Sequence, residues 1–143
     1  MTVRKAEEKD LERIALLERD CLQDPWTVGQ LKGSFARADF YALVLETEGE
    51  IAGYICGTSL FEDAEIARVA VVKNHRREGL GGKLLDAFLS LVKDKGATRA
   101  FLEVRVHNAA AIGLYESRNF SPVRMRLKYY ADGEDGLEMK KDL

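Results

Sequence analysis

Between Lys9 and Leu22 the apolar residues Leu11, Ile14, Ala15, Leu17 and Cys21 recur at the period of an amphipathic helix rather than of a strand. Pro25 disfavours helical backbone at Asp24, which predicts a break after Cys21-Leu22. Thr27 stands where an N-cap is needed for a second short helix with Val28, Leu31 and Phe35 on one side. At Phe40 the pattern changes. Two β-rich runs, Phe40–Glu46 and Ile51–Phe61, flank Glu48-Gly49-Glu50 and predict a hairpin, and a third, Glu65–Val72, follows Glu62-Asp63 to extend an antiparallel meander. Gly79-Leu80-Gly81-Gly82 opens a long helix with Leu80, Leu84, Leu85, Phe88, Leu91 and Val92 on one broad face, and Gly96 is placed to end it with a left-handed cap. Ala100–Val104 reads as a compact apolar strand and Asn108 starts a short helix through Ser117. Pro122–Tyr130 and Leu137–Lys141 read as two last strands joined by a turn-rich segment.

With Val3-Arg4-Lys5 as a short first strand, the order is β-α-α-β-β-β-α-β-α-β-β. Helices inserted into a mainly antiparallel sheet make an α+β layer architecture. The strand–helix–strand unit across residues 65–104 is expected to be locally parallel and right-handed. No repeat, low-complexity tract or Pro/Ser-rich linker divides the 143 residues, so one domain, 1–143, is expected.

Charge narrows the functional classes. The 22 Lys+Arg and 24 Asp+Glu leave a formal net charge of −2, without the basic excess of a general nucleic-acid binder. No apolar stretch approaches the ~20 residues of a membrane span. Cys21 and Cys56, with a charged N-terminal segment lacking a targeting pattern, are expected to be reduced thiols of a cytoplasmic protein. His75 and His107 lack metal-ligand spacing, so no metal is expected.

The segment from Val69 to Lys83 runs strand, basic turn, glycines, helix. Free amides at a helix N-terminus and the helix dipole favour a phosphate there, and glycines let it approach closely. Arg76, Arg77 and Lys83 add charge nearby. The segment is neither a Walker A loop nor a Rossmann G-x-G-x-x-G turn. By itself it also fits a glycine-rich helix start with solvated arginines. Arg76-Arg77-Glu78-Gly79-Leu80-Gly81 resembles the coenzyme A pyrophosphate loop of the GNAT acetyltransferase superfamily, whose pattern is Arg/Gln-x-x-Gly-x-Gly/Ala. Val69-Ala70-Val71 resembles that family's splayed strand, beside which the pantetheine arm runs. The resemblance covers nearly the whole chain. It implies the GNAT fold, acetyl-coenzyme A as donor, and donor contacts at Val69, Val71, Arg76, Arg77, Gly79, Gly81 and Gly82.

The stretch Leu102–Phe120 places Glu103 near the end of an apolar strand. Asn108 and Tyr115, seven residues apart, share a helix face. Leu102-Glu103-Val104-Arg105, Asn108-Ala109-Ala110-Ala111 and Leu114-Tyr115-Glu116-Ser117 resemble the ribosomal-protein-alanine N-acetyltransferase branch, as do Pro25-Trp26 and Tyr129-Tyr130. That resemblance implies Glu103 as general base, Tyr115 as general acid, Asn108 as a coenzyme A contact, and Trp26, Tyr129 and Tyr130 at the acceptor. It implies acetyl transfer to a protein N-terminus, a ribosomal protein's alanine. Because no covalent intermediate is required, direct transfer in a ternary complex is expected, by a monomer or weak dimer without nucleic-acid or membrane partners. Arg118-Asn119-Phe120 departs from the branch's Leu-Gly-Phe, but asparagine tolerates the left-handed helix end. Taken singly, Glu103 also fits a solvated strand end, Tyr115 a core aromatic and Asn108 an N-cap. A small amine, a lysine side chain or an antibiotic as acceptor, or a non-catalytic coenzyme A sensor, keeps the same donor motifs.

Overall fold

The apolar stripe of Leu11, Ile14, Ala15 and Leu17 forms α1 (Leu11–Cys21), entered through a 3-10 turn at Glu8–Asp10. After the break at Pro25, α2 (Val28–Phe35) begins with Thr27 as N-cap, its hydroxyl accepting from the Gln30 N–H while the Gln30 side chain accepts from the Thr27 N–H. The computed structural model describes residues 1–76 and 78–143. The strands are β1 (Thr2–Lys5), β2 (Phe40–Thr47), β3 (Glu50–Leu60), β4 (Asp63–Val71), β5 (Arg99–Arg105), β6 (Ser121–Arg126) and β7 (Gly136–Asp142), with α3 (Leu80–Asp94) and α4 (Ala109–Ser117) between them. They make one seven-stranded sheet in the order β1-β2-β3-β4-β5-β7-β6, antiparallel except for the β4–β5 pair. The predicted α+β order and the local parallel pairing are both observed.

Turn residues account for the connections. Glu48 and Gly49 have φ of 53° and 79°, a two-residue turn that closes the β2–β3 hairpin on the Thr47–Glu50 pair. The Ala97 N–H bonds to the Val92 carbonyl at 3.0 Å across Gly96, whose φ is 105°, and α3 ends there as expected. Asn119, at φ 68°, ends α4 in the same way, with Phe120 N–H bonded to the Tyr115 carbonyl. One boundary differs from expectation. The strand predicted to run to Tyr130 stops at Arg126, because Lys128 takes φ 51° and donates its N–H to Asp135 Oδ1 at 2.8 Å. Tyr129 and Tyr130 therefore sit in a loop, not a strand.

Two cores cover the two faces of the sheet. On one face Leu84, Leu85, Phe88 and Val92 of α3 pack over Leu43, Ile55, Ala64, Ile66, Leu102 and Met139. On the other, Ile14 and Leu17 of α1 and Leu31 of α2 cover Ala42, Val44, Tyr54, Cys56 and Ala70. Beyond β4 this second face is left open, and β5 and β7 present Glu103, Arg105 and Glu138 there, between the core residues Leu102, Val104 and Met139 of the first. Among the described residues no helix is long and apolar enough to cross a membrane.

Candidate active site: a window between β4 and β5

The parallel pairing of β4 with β5 covers only Asp63–Ile66 against Arg99–Leu102. Its end coincides with a β-bulge: Gly57 pairs with Ile66 and Cys56 with Arg68, so Ala67 is an extra residue. Plain alternation from Ile66 would put Arg68 and Ala70 under α3. With Ala67 taken up by the bulge, Val69 and Val71 pack on the α3 side instead, while Ala70 joins the α1 side. The two strands then diverge and leave a window through the sheet. Val72 donates its N–H to Ala52 at 2.8 Å, so by alternation Val69 and Val71 direct their amides and carbonyls away from β3 and towards the window. Part of this is taken up: the Val71 carbonyl accepts from Arg76 Nε at 3.1 Å and from Cys21 Sγ at 3.6 Å.

On the α3 side the basic turn meets the helix start. Gly79 has φ 75°, a left-handed geometry that glycine adopts without strain, and its carbonyl accepts from Lys83 N–H. The two following glycines serve a purpose the sequence does not announce. A Cβ on Gly81 would lie 3.2 Å from Leu114 Cδ2, and one on Gly82 would lie 2.2 Å from an Arg118 guanidinium nitrogen. They let α3 approach α4, and Gly82 is itself buried at that contact. Arg77 lies outside the described residues. Asn108 caps α4, its side-chain oxygen accepting from Ala111 N–H at 3.1 Å. Tyr115 is buried on α4 with its ring edge-to-face against Phe120 at 5.9 Å, and burial pushes its phenol up to about 12.

Glu103 comes from the opposite face of β5. A cavity of about 400 Å³ opens through the window and is lined by Glu103, Tyr115, Asn108 and Val69 together. The sheet thus brings a carboxylate from one face and a phenol from the other to a single opening. A second cavity, of about 470 Å³, lies on the open face and is lined by Glu103, Trp26, Tyr129 and Tyr130. Of the described residues named from the sequence, Val69, Glu103, Asn108 and Tyr115 line the first cavity and Trp26, Tyr129 and Tyr130 the second, whereas Val71, Arg76 and the three glycines line neither and lie at the end of β4 and the α3 start.

Glu103 faces Glu138 across β5 and β7, a like-charge pair that would repel. Arg126 relieves it, bonding Glu138 Oε2 at 3.0 Å and lying 3.1 Å from Glu103 Oε2. The second contact is off-axis, so neither of these two buried atoms has a hydrogen-bond partner among the described residues. Burial raises the Glu103 carboxyl above its ordinary range, against the opposing pull of Arg126 and Tyr129. For Glu138, burial works the same way, but Arg126 and Arg124 outweigh it and hold the carboxyl low. A carboxylate that is half-desolvated and incompletely bonded is suited to accept a proton.

Sequence reasoning missed the residues that brace this face. Glu18 is fully buried on α1 and accepts from the Tyr54 hydroxyl, Arg68 Nη2 at 2.8 Å and the Trp26 N–H at 2.8 Å. Arg68 also lies 4.8 Å from the Trp26 ring centre. A charged residue on the apolar stripe of α1, seven positions after Leu11, was the signal available. Among the described residues no group of three or more His, Cys, Asp and Glu is arranged to hold a metal ion.

Comparisons with known proteins agree with this architecture. The sequence model of the acetyltransferase (GNAT) family matches residues 7–120. A Bacillus subtilis (strain 168) protein named, as a candidate, [ribosomal protein bS18]-alanine N-acetyltransferase is 35% identical over 140 residues, covering 96% of this chain and 92% of its own. An N-alpha-acetyltransferase of Saccharolobus solfataricus is 33% identical over 159 residues, covering 99% and 93%. The crystal structure of the ribosomal-protein-S18-alanine N-acetyltransferase from Escherichia coli superposes with a TM-score of 0.91 at 29% identity, covering 99% of this chain and 92% of that one. In sequence over most of its length, and in fold over nearly all of it, the chain belongs to the acetyltransferase (GNAT) family and is an N-acetyltransferase.

Proposed function

We propose that the protein transfers the acetyl group of acetyl-coenzyme A to the N-terminal α-amine of a protein, a ribosomal protein's N-terminal alanine, by direct transfer in a ternary complex. The observation that carries this reading is the window lined by Glu103 and Tyr115, with a cavity continuing on the open face between Trp26, Tyr129 and Tyr130. The donor approaches from the α3 side, its pyrophosphate at the helix start after Gly79 and its pantetheine beside Val69 and Asn108. The acceptor enters from the other side, so the two substrates meet without a covalent enzyme intermediate. The names of the bacterial and archaeal relatives point to the same acceptor class.

An α-amine with a pKa of about 7.7–8.0 arrives largely as ammonium near neutral pH. Glu103, directly or through water, takes that proton, and its raised pKa brings base and acid closer in strength. The amine nitrogen bonds to the thioester carbon, and the oxyanion formed there meets a window-facing N–H of Val69 or Val71. The carbon–sulfur bond then breaks. A phenol held at about 12 is a weaker acid than a thiol of about 8.5. Tyr115 therefore stabilises the developing thiolate by a hydrogen bond and keeps its own proton, and the second proton, shed by the attacking nitrogen, passes to the departing sulfur or to solvent.

The test is mass spectrometry of products from the purified protein, acetyl-coenzyme A and a peptide beginning with alanine. A peptide with a blocked N-terminus and a free lysine runs beside it. Acetylation of the free α-amine alone is the expected result. Acetyl on the lysine, or on a small amine but on neither peptide, overturns the acceptor assignment.

A further inference from the structure

Where β4 and β5 part, each sends one arginine to the same residue of the α1–α2 connection. Arg68 of β4 donates to the main-chain carbonyl of Asp24, and Arg105 of β5 donates to its carboxylate at 2.7 Å. The connection thus crosses the mouth of the window as a strap, anchored on both banks. Arg105 does more. Its other nitrogen donates to Asp132 at 2.8 Å and to Glu134 at 2.9 Å, both in the β6–β7 loop, and its guanidinium stacks 4.1 Å over Tyr130. The side chain is 15% exposed, whereas Asp24 is 63% exposed. One mostly buried cation therefore joins two loops that are far apart in sequence.

Resting on the acceptor side proposed above, we infer that Arg105 is a positioning residue that ties the strap at Asp24 to the β6–β7 loop and so sets the affinity for the acceptor. The argument is one of preorganisation. Trp26 and Tyr130, which line the acceptor-side cavity, stand on the two tied segments. Left free, each loop would have to be ordered as the acceptor binds, and that ordering subtracts from affinity. The side chains of the tie border the window cavity together with Val69, Asn108 and Tyr115, but among the described residues their hydrogen bonds run to the two loops and to His107, not to those three side chains. Cutting it therefore weakens acceptor binding and leaves the chemical step and donor affinity alone.

The experiment uses the whole chain as Asp24→Asn, Arg105→Gln and the double variant, with the alanine peptide and acetyl-coenzyme A in steady-state kinetics. Each single change is expected to raise the acceptor KM about three- to tenfold. The donor KM and kcat are expected to stay within about twofold, and the double variant to be no worse than Arg105→Gln. Additive KM effects, or a fall in kcat at unchanged acceptor KM, overturn the inference. Asp24→Asn keeps the test usable if Arg105→Gln folds poorly. Hydrogen exchange read without any acceptor separates this from the functional proposal. Joint loss of protection in residues 22–27 and 131–135 on Arg105→Gln supports the tie even if the alanine peptide is not a substrate, and unchanged protection in either segment refutes it.

Discussion

Replacing Glu18 with glutamine probes the brace beneath the acceptor-side wall. Its carboxylate accepts from Tyr54, Trp26 N–H, Arg68 Nη2 at 2.8 Å and Arg68 Nε at 3.2 Å, with no exposed surface of its own. Glutamine keeps the shape but turns one acceptor oxygen into a donor facing other donors, and strips the countercharge from a guanidinium that is 19% exposed. Breaking a buried pair from one side costs about 3–5 kcal/mol. Arg68 keeps its bond to the Asp24 carbonyl and a little water, which favours the lower end, about 3 kcal/mol. In a chain of 143 residues this lowers the thermal midpoint by about 10 °C. Circular dichroism follows the melt, and fluorescence follows the native state. Trp26 is the only tryptophan, and it is held to Glu18 by its N–H and to Arg68 by its ring, so its emission reports the loosened loop. The double variant Glu18→Leu/Arg68→Met leaves neither charge stranded and recovers much of the loss. A Glu18→Gln midpoint within about 2 °C of the parent, with unchanged Trp26 emission, would refute the reasoning.

Three further outcomes follow from the same geometry. Tyr115→Phe keeps the edge contact with Phe120 and removes only the hydroxyl, so kcat falls about 100-fold or more in acetyl-transfer assays while donor binding by calorimetry is retained. Glu103 must be ionised to act as base, so the acid limb of the kcat–pH profile lies above the ordinary glutamate value of 4.5, and Arg126→Met, removing the opposing cation, moves it higher; a limb that stays put in that variant removes Arg126 from this role. Asp10 is buried against Arg4 at 2.8 Å, a contact that holds its carboxyl below the ordinary 3.8. Its stabilising effect is complete above that unfolded value and is lost as pH falls through the folded one, so Asp10→Asn costs about 2 kcal/mol in urea melts at pH 7 and progressively less at acid pH.

The element order was legible because each element carries its own period or punctuation. Leu11–Leu17 and Leu80–Val92 mark helices by spacing, and Thr27, Gly49 and Gly96 mark ends by the backbone they allow. Glu103, Asn108 and Tyr115 were legible through resemblance, and the fold brings them to one cavity. What was not legible arises from register and from distant partners. An alanine in a bulge looks like any strand alanine, so nothing in Ile66-Ala67-Arg68 announces the window. Arg105 meets Asp24 across 81 positions, and Arg68 meets Glu18 across 50, pairings that no local pattern encodes. Tyr129 and Tyr130 were misread as strand because the left-handed turn at Lys128 has no glycine to mark it.

The extra residue at Ala67 also makes the opening a matter of stability forgone. Removing it would leave every later side chain of β4 on its present face, since Ile66, Arg68 and Val69 would then simply alternate. The strand would be free to continue beside β5, and each ladder bond regained would add on the order of 1 kcal/mol. Such a deletion describes a sturdier protein with no passage through its sheet. A single inserted residue thus exchanges ladder bonds for an opening in the sheet.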